Sequence, residues 1–328
     1  MTDDLIGAYR ETPYPFWRTA GEDSMRLGKA RNHVPVLLEV DVSDARAALA
    51  ARKQQGGPDV SFTAWACTCV AQAAAQHPRV HAVRGRRAVG EGPVAGRLPG
   101  RLGTEARRLR LGPRTIVTFD DVDMSLAVYR RLTGDESGER LPMPFVVRKV
   151  NEKGLEELSE EIRAAQSRPL SQDQQWLDPV AGVPPPRLVR LGLAAPAWLR
   201  DRVFWDRLLG DPLRLKRTMG TVMVTSLPLS TRSGGAAWGI PAGIHPLVVA
   251  LGAVGRRAGF ADGGPAAAPA SRPDPAFAPG SDASTQPRLE AREFLSLTVL
   301  FDHDVVDGLP VALFLRRLAE LMEGAAGL

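Results

Sequence analysis

Near the carboxy end, residues 301–308 read Phe-Asp-His-Asp-Val-Val-Asp-Gly, so His303, Asp307 and Gly308 form an HxxxDG pattern. An imidazole titrates near about pH 6.5, which lets it take a proton from a thiol or hydroxyl and return it close to neutrality. Asp307, four residues on, is placed to hold the turn, and Gly308 to close it. The pattern is short. A loop histidine satisfied by its neighbours, next to a turn-forming aspartate, is the alternative reading.

The flanking elements favour a presented side chain. Leu295, Leu297, Val299 and Phe301 alternate as in a half-buried or fully buried strand. Behind Pro310, which suits a first helical turn, Val311, Phe314, Leu315, Leu318 and Met322 recur at helical spacing. His303 therefore falls on a strand-to-helix turn, where a rigid scaffold can offer a reactive group to a cleft.

The segment FDHDVVDGLPVALFLRRLAELMEG resembles the end of the catalytic domain of 2-oxo acid dehydrogenase acyltransferases, the E2 components, which close on a DHRVVDG-type loop and a long amphipathic helix. Further segments agree in order: Met25-Arg26 followed by residues 34–42; residues 62–83 with Trp65, His77-Pro78 and His81, similar to an apolar helix ending in an HPxxN turn; residues 148–163, similar to an RKSLxELSxEI helix; residues 220–227, similar to a GTFTISNLG strand; and residues 240–256. The chloramphenicol acetyltransferases resemble the chain around HxxxDG as well.

The resemblance implies an α/β (α+β) two-layer sandwich, a mixed sheet covered by helices. Each chain would be one half-unit of a coenzyme A-dependent acyltransferase fold, with a trimer supplying the rest. His303 matches the general base, Thr225 the hydroxyl that donates to the oxyanion, and Asp307 the loop aspartate. Ser226 offers a second hydroxyl, but adjacent strand residues point to opposite faces, so one of the two can face a site. Arg26 is a candidate ion partner for the loop aspartate. Coenzyme A would be the acyl-bearing substrate and the lipoyl group would act only in trans, with a lipoyl carrier protein or dehydrogenase subunits as partners. No metal is expected.

The chain also departs from that pattern. Its organisation reads as an N-terminal arm over residues 1–24 and a catalytic domain over residues 25–328, with no lipoyl or peripheral subunit-binding domain. Asp304 stands where the DHRVVDG loop has arginine, and Pro228 where a glycine follows the oxyanion strand. Residues 170–216 read as a helical insertion: Pro184, Pro185 and Pro186 lead into an amphipathic stretch in which Trp198, Val203, Phe204, Trp205 and Leu208 alternate with arginines and aspartates. It is expected to pack on the assembly, with partner docking or a membrane surface as the lesser alternatives. Residues 261–287, rich in Ala, Pro, Gly and Ser, read as a disordered loop.

Composition sets outer bounds. The chain has 328 residues, 44% hydrophobic, enough for one large core. The net charge of +5 resides mostly in arginines without interleaved aromatics, which suits a solvated face better than a nucleic-acid surface. Cys67 and Cys69 lie in an apolar helix and read as buried thiols in a reducing compartment. With no secretory pattern in residues 1–21 and no apolar run of about 18 residues, a cytoplasmic protein is expected. The functional expectation is an acyltransferase acting between coenzyme A and a thiol. The alternatives are a non-catalytic trimeric scaffold and a small-molecule O-acetyltransferase.

Overall fold

The alternation around residues 294–301 belongs to a longer strand, β8 (Leu289–Asp302), whose last eight residues are buried on both faces. The computed structural model describes residues 7–11, 14, 18–86, 114–131, 140–167, 191–227, 235–260 and 288–328. In chain order its elements are α1 (Arg18–Lys29), β1 (His33–Asp41), α2 (Ser43–Gln54), α3 (Phe62–Gln76), β2 (Val83–Arg86), β3 (Arg114–Val117), β4 (Met124–Arg131), β5 (Arg140–Val147) and α4 (Leu155–Ser167). The helical turns Ala197–Arg200, Asp201–Trp205 and Asp206–Leu209 follow, joined as α5, then α6 (Pro212–Met219), β6 (Val222–Ser226), β7 (Leu247–Phe260), β8 and α7 (Gly308–Glu323).

Six strands form one mixed sheet in the order β1-β8-β7-β6-β4-β5. β6 is parallel to both its neighbours, while β1–β8, β8–β7 and β4–β5 are antiparallel. One face is covered by helices. α3 is its centre: Ser61 caps it by accepting from the Ala64 N–H at 3.1 Å, and residues from Ala64 to Ala74 are buried on almost every side, as expected of a helix apolar all round. α7 packs on α3 through Phe314, Leu318 and Met322, and the Trp65 indole N–H donates to the Ala326 carbonyl at 3.1 Å. Cys67 and Cys69 are buried in this layer, where burial pushes their thiols up to about 12.

The second face is crossed by residues 235–246, which explains why β7 and β8 are apolar on both sides. At the bulge between Leu251 and Val254, the Ala253 N–H donates to the Ala237 carbonyl at 3.0 Å, and the Ala237 N–H donates to the Ser296 hydroxyl at 3.3 Å. A Cβ on Gly252 would lie 2.1 Å from the Ala237 oxygen, so only glycine admits this crossing. α1 docks on the same segment: a Cβ on Gly28 would fall 2.6–2.8 Å from the Gly243 backbone. Gly28→Ala is expected to destabilise by about 1–3 kcal/mol, because backbone cannot yield as a side chain can; urea unfolding checks it, and an unchanged midpoint would show that α1 is free to shift.

The helical insertion, described from residue 191 onward, builds a small core of its own. Trp205, Leu208 and Leu215 pack with Val83 and Ile244, and Leu27 of α1 lies against them. The buried carboxylate of Asp23 accepts from Arg200 at 2.6 and 2.8 Å and from the Trp205 indole at 3.2 Å. The stretch thus packs against its own chain, while Trp198, Val203, Phe204 and Leu213 remain exposed. α1 begins at Arg18, so this helix runs across the boundary expected at residues 24 and 25. The loop expected at residues 261–287, Pro228 and the proline run at 184–186 lie outside the described residues.

Candidate active site

β8 ends at Asp302 and α7 starts at Gly308, so His303 sits on the strand-to-helix turn its flanks predict. The turn is held from inside. The Val305 and Val306 N–H groups donate to the Asp302 carbonyl at 3.0 and 3.2 Å, and the Asp304 N–H donates to the Asp302 carboxylate at 3.1 Å. It is also held from outside by the connection between α1 and β1. Arg31 pairs with Asp302 at 2.8 Å, the His303 N–H donates to the Asn32 carbonyl at 3.0 Å, and the Asn32 amide donates to Asp304 at 2.8 Å.

The His303 side chain is exposed, and its ring lies 6.0 Å from that of Phe301. It faces an open cleft of about 450 Å³ lined by Asn32, His33, Val34, His303 and Asp304. Beneath it, His33 Nε2 donates to the His245 carbonyl at 2.9 Å, and burial pushes the His33 pKa below the usual histidine value. The imidazole is thus on the rim of a supported platform and open to the cleft.

Two expectations about loop support are corrected. Arg26 does not reach the turn: its guanidinium binds Asp201 at 2.6 Å and Asp23 at 3.2 Å, at the insertion. The carboxylate that anchors the turn is Asp302, with Arg31 as its cation. Asp307 is exposed at the N-cap of α7 and makes no side-chain capping bond, though a negative charge suits a helix N-terminus. Gly308 has open space where a Cβ would be and no left-handed φ, so nothing in its backbone demands glycine. The sequence does signal that Asp302 needs a cation, though not which one. A carboxylate ending a fully buried strand must find a cation, and arginine is the residue suited to that.

Thr225 lies near the end of β6, whose start is set by Gly220 at φ 76°, with Thr221 and Val222 N–H groups donating to the Asp123 carbonyl. Val222 and Val224 point into the helix-covered core, and Met223 lies against Gly243 on the other face. Alternation therefore puts Thr225 on the face crossed by residues 235–246 and Ser226 on the core face. Thr225 is level with Ala250, which is level with Thr298. His303 is five residues further along β8 and two strands away. At a rise of about 3.3 Å per residue and a strand spacing of about 4.8 Å, the two Cα atoms are roughly 19 Å apart. Side chains cannot span that distance, so within one chain the two groups do not share a reacting atom.

Two further histidines are structural. His81 Nδ1 is 2.9 Å from the Thr221 hydroxyl, and His245 Nε2 donates to the Met219 carbonyl at 3.0 Å. Burial pushes both down to about 4 from 6.5, so both are neutral near pH 7. In the unfolded chain they protonate below about 6.5, whereas the fold resists protonation until about 4. Stability is therefore retained above pH 6.5 and lost as pH falls toward 4, by a few kcal/mol in all. Denaturant titration from pH 7.5 to 4.5 checks this, and His81→Gln should flatten the loss. Among the described residues no group of three or more His, Cys, Asp or Glu is placed to hold a metal, and no helix is long and apolar enough to cross a membrane.

No protein-family model and no curated protein matches the chain. Solved structures do. The cubic core of a pyruvate dehydrogenase multienzyme complex superposes with a TM-score of 0.54 at 14% identity, covering 98% of this chain and 95% of that one. A probable dihydrolipoamide acetyltransferase from Listeria monocytogenes 4b F2365 gives 0.54 at 16%, covering 97% and 96%. The dihydrolipoamide acetyltransferase of Azotobacter vinelandii gives 0.54 at 12%, covering 98% and 95%. The fold is that of the catalytic cores of 2-oxo acid dehydrogenase acyltransferases, a six-stranded mixed sheet with helices.

Proposed function

We propose that this chain is a coenzyme A-dependent acyltransferase whose active sites form between chains, with His303 as general base and Thr225 of a neighbouring chain as oxyanion donor. The observation that carries the reading is the His303 turn: an accessible imidazole on a rigid strand-to-helix corner, fixed by Arg31 and Asn32 and opening on a cleft. In the reaction, His303 takes the proton of an acceptor thiol, and the sulfur attacks the carbonyl carbon of an acyl thioester. The oxyanion accepts a hydrogen bond from the Thr225 hydroxyl. Collapse breaks the bond to the coenzyme A sulfur, which recovers the proton from His303. The acceptor is a dihydrolipoyl arm brought by another protein or a small thiol.

The catalytic mechanism of the Azotobacter protein has been investigated at a serine, a histidine and an asparagine four residues beyond that histidine. His303 and Asp307 share this spacing, and Thr225 carries a hydroxyl earlier in the chain, as that serine does. Assembly from several chains draws support from two sides: the roughly 19 Å between base and hydroxyl within one chain, and the neighbours being cores of multienzyme complexes.

The test is complementation. Thr225→Ala and His303→Ala are each expected to lower acyl transfer to dihydrolipoamide by about 10²-fold or more. Dissociating and mixing the two variants should restore part of the activity, since some sites then combine an intact His303 with an intact Thr225. Mixtures no more active than their components would place both groups in one chain's site or exclude Thr225, and a larger loss from Ser226→Ala would transfer the role to the adjacent hydroxyl.

A further inference from the structure

The wall of the His303 cleft carries an unusual charge. Asn32 and Val34 are uncharged, and burial keeps His33 neutral near pH 7. Behind the turn lies the Arg31–Asp302 pair; among the described residues lining the cleft, the carboxylate is that of Asp304. The hydrogen bond from Asn32, with Arg84 next to it, holds this carboxyl below the usual carboxylate range, so it is ionised at neutral pH. Its side chain is 29% exposed, and Arg84, reaching in from β2 at 2.7 Å, is 53% exposed. Arg84 approaches one oxygen and Asn32 the other. Because the cation is out in water, it screens the carboxylate only in part.

Resting on the acyl-transfer reading above, we propose that Asp304 determines acyl specificity: the site accepts uncharged acyl groups and rejects those that carry a carboxylate. The geometry of the reaction makes this charge matter. The base must stand within about 3 Å of the attacking acceptor sulfur, and that sulfur bonds to the acyl carbonyl carbon, so the acyl group enters the cleft whose wall carries His303 and Asp304. The phosphates of coenzyme A are at the far end of a long arm and are screened by solvent. A half-thioester of a four-carbon dicarboxylic acid, in contrast, places its free carboxylate within a few ångströms of the reacting carbon. Two like charges roughly 6 Å apart near a protein surface repel enough to change a rate constant by about a hundredfold, and the partial offset by Arg84 leaves roughly tenfold. Asp304 thus acts on the substrate by its field, and Arg84 sets how much of that field remains.

The experiment compares kcat/KM for butyryl- and succinyl-coenzyme A as donors to dihydrolipoamide, in the parent, Asp304→Asn and Arg84→Gln. The parent should favour butyryl by about tenfold or more beyond what Asp304→Asn shows, since the amide keeps the shape and the bond from Asn32 but not the charge. Arg84→Gln should widen the preference by unmasking the carboxylate. Loosening of the turn alone would lower both donors together and leave their ratio in place; an unmoved ratio in both variants therefore overturns the proposal while acyl transfer stands. If the parent transfers neither acyl group, the acyltransferase reading fails and this inference with it.

Discussion

His303→Ala should lower acyl transfer to dihydrolipoamide by roughly 10²–10⁴-fold, the range that removal of a positioned acid–base group produces. Stability should barely change. The side chain is exposed, and what anchors the turn is backbone and the neighbouring aspartates, namely the His303 N–H on Asn32 and the pair of Asp302 with Arg31. Surface substitutions of this kind stay within about 0.5 kcal/mol. The two readouts together separate the enzyme from the scaffold. A trimeric core that only docks partners would show no dependence of any acyl transfer on residue 303, and an active protein indifferent to the substitution would remove the base assignment.

Arg31→Ala should destabilise by roughly 3–5 kcal/mol, because it strands the Asp302 carboxylate in a buried position without its cation. Asp302 is 3% exposed, and the Arg31–Asp302 distance is 2.8 Å. Activity should fall as well, by about 10²-fold at temperatures where the variant is still folded, since displacement of a catalytic group by about 1 Å has that order of cost. Chemical denaturation and steady-state rates measured on the same preparation check both. Pairing Arg31→Met with Asp302→Leu should recover much of the stability by removing the stranded charge, and little of the activity, since Asp304 and His303 would lose their anchor. Full recovery of both would show that the pair only fills space.

Element types were readable wherever apolar period was strong. The helix at 62–76 and the strand–turn–helix around His303 lie where patterns of apolar residues put them, and the strand at 222–226 lies where the resemblance of residues 220–227 put it. The pairing of charges was less readable. Arg26 and Arg31 are five residues apart, and composition gives no reason to prefer one as partner for the loop. Their separation arises because α1 ends at Lys29: Arg26 projects from the helix toward the insertion, while Arg31, beyond the helix end, lies against the end of β8.

What the sequence by itself determined is the chemistry available: an imidazole on a turn between a buried strand and an amphipathic helix, a hydroxyl on a distant strand, and an aspartate beside the imidazole. These depend on residue type and local periodicity, which short-range sterics and burial enforce. What only the tertiary structure decided is which groups meet. Strand order puts two strand spacings and five residues between His303 and Thr225, and chain crossing brings Arg31, Asn32 and Arg84 onto one turn. Long-range pairing is set by how whole faces pack, and no local pattern in the chain records it.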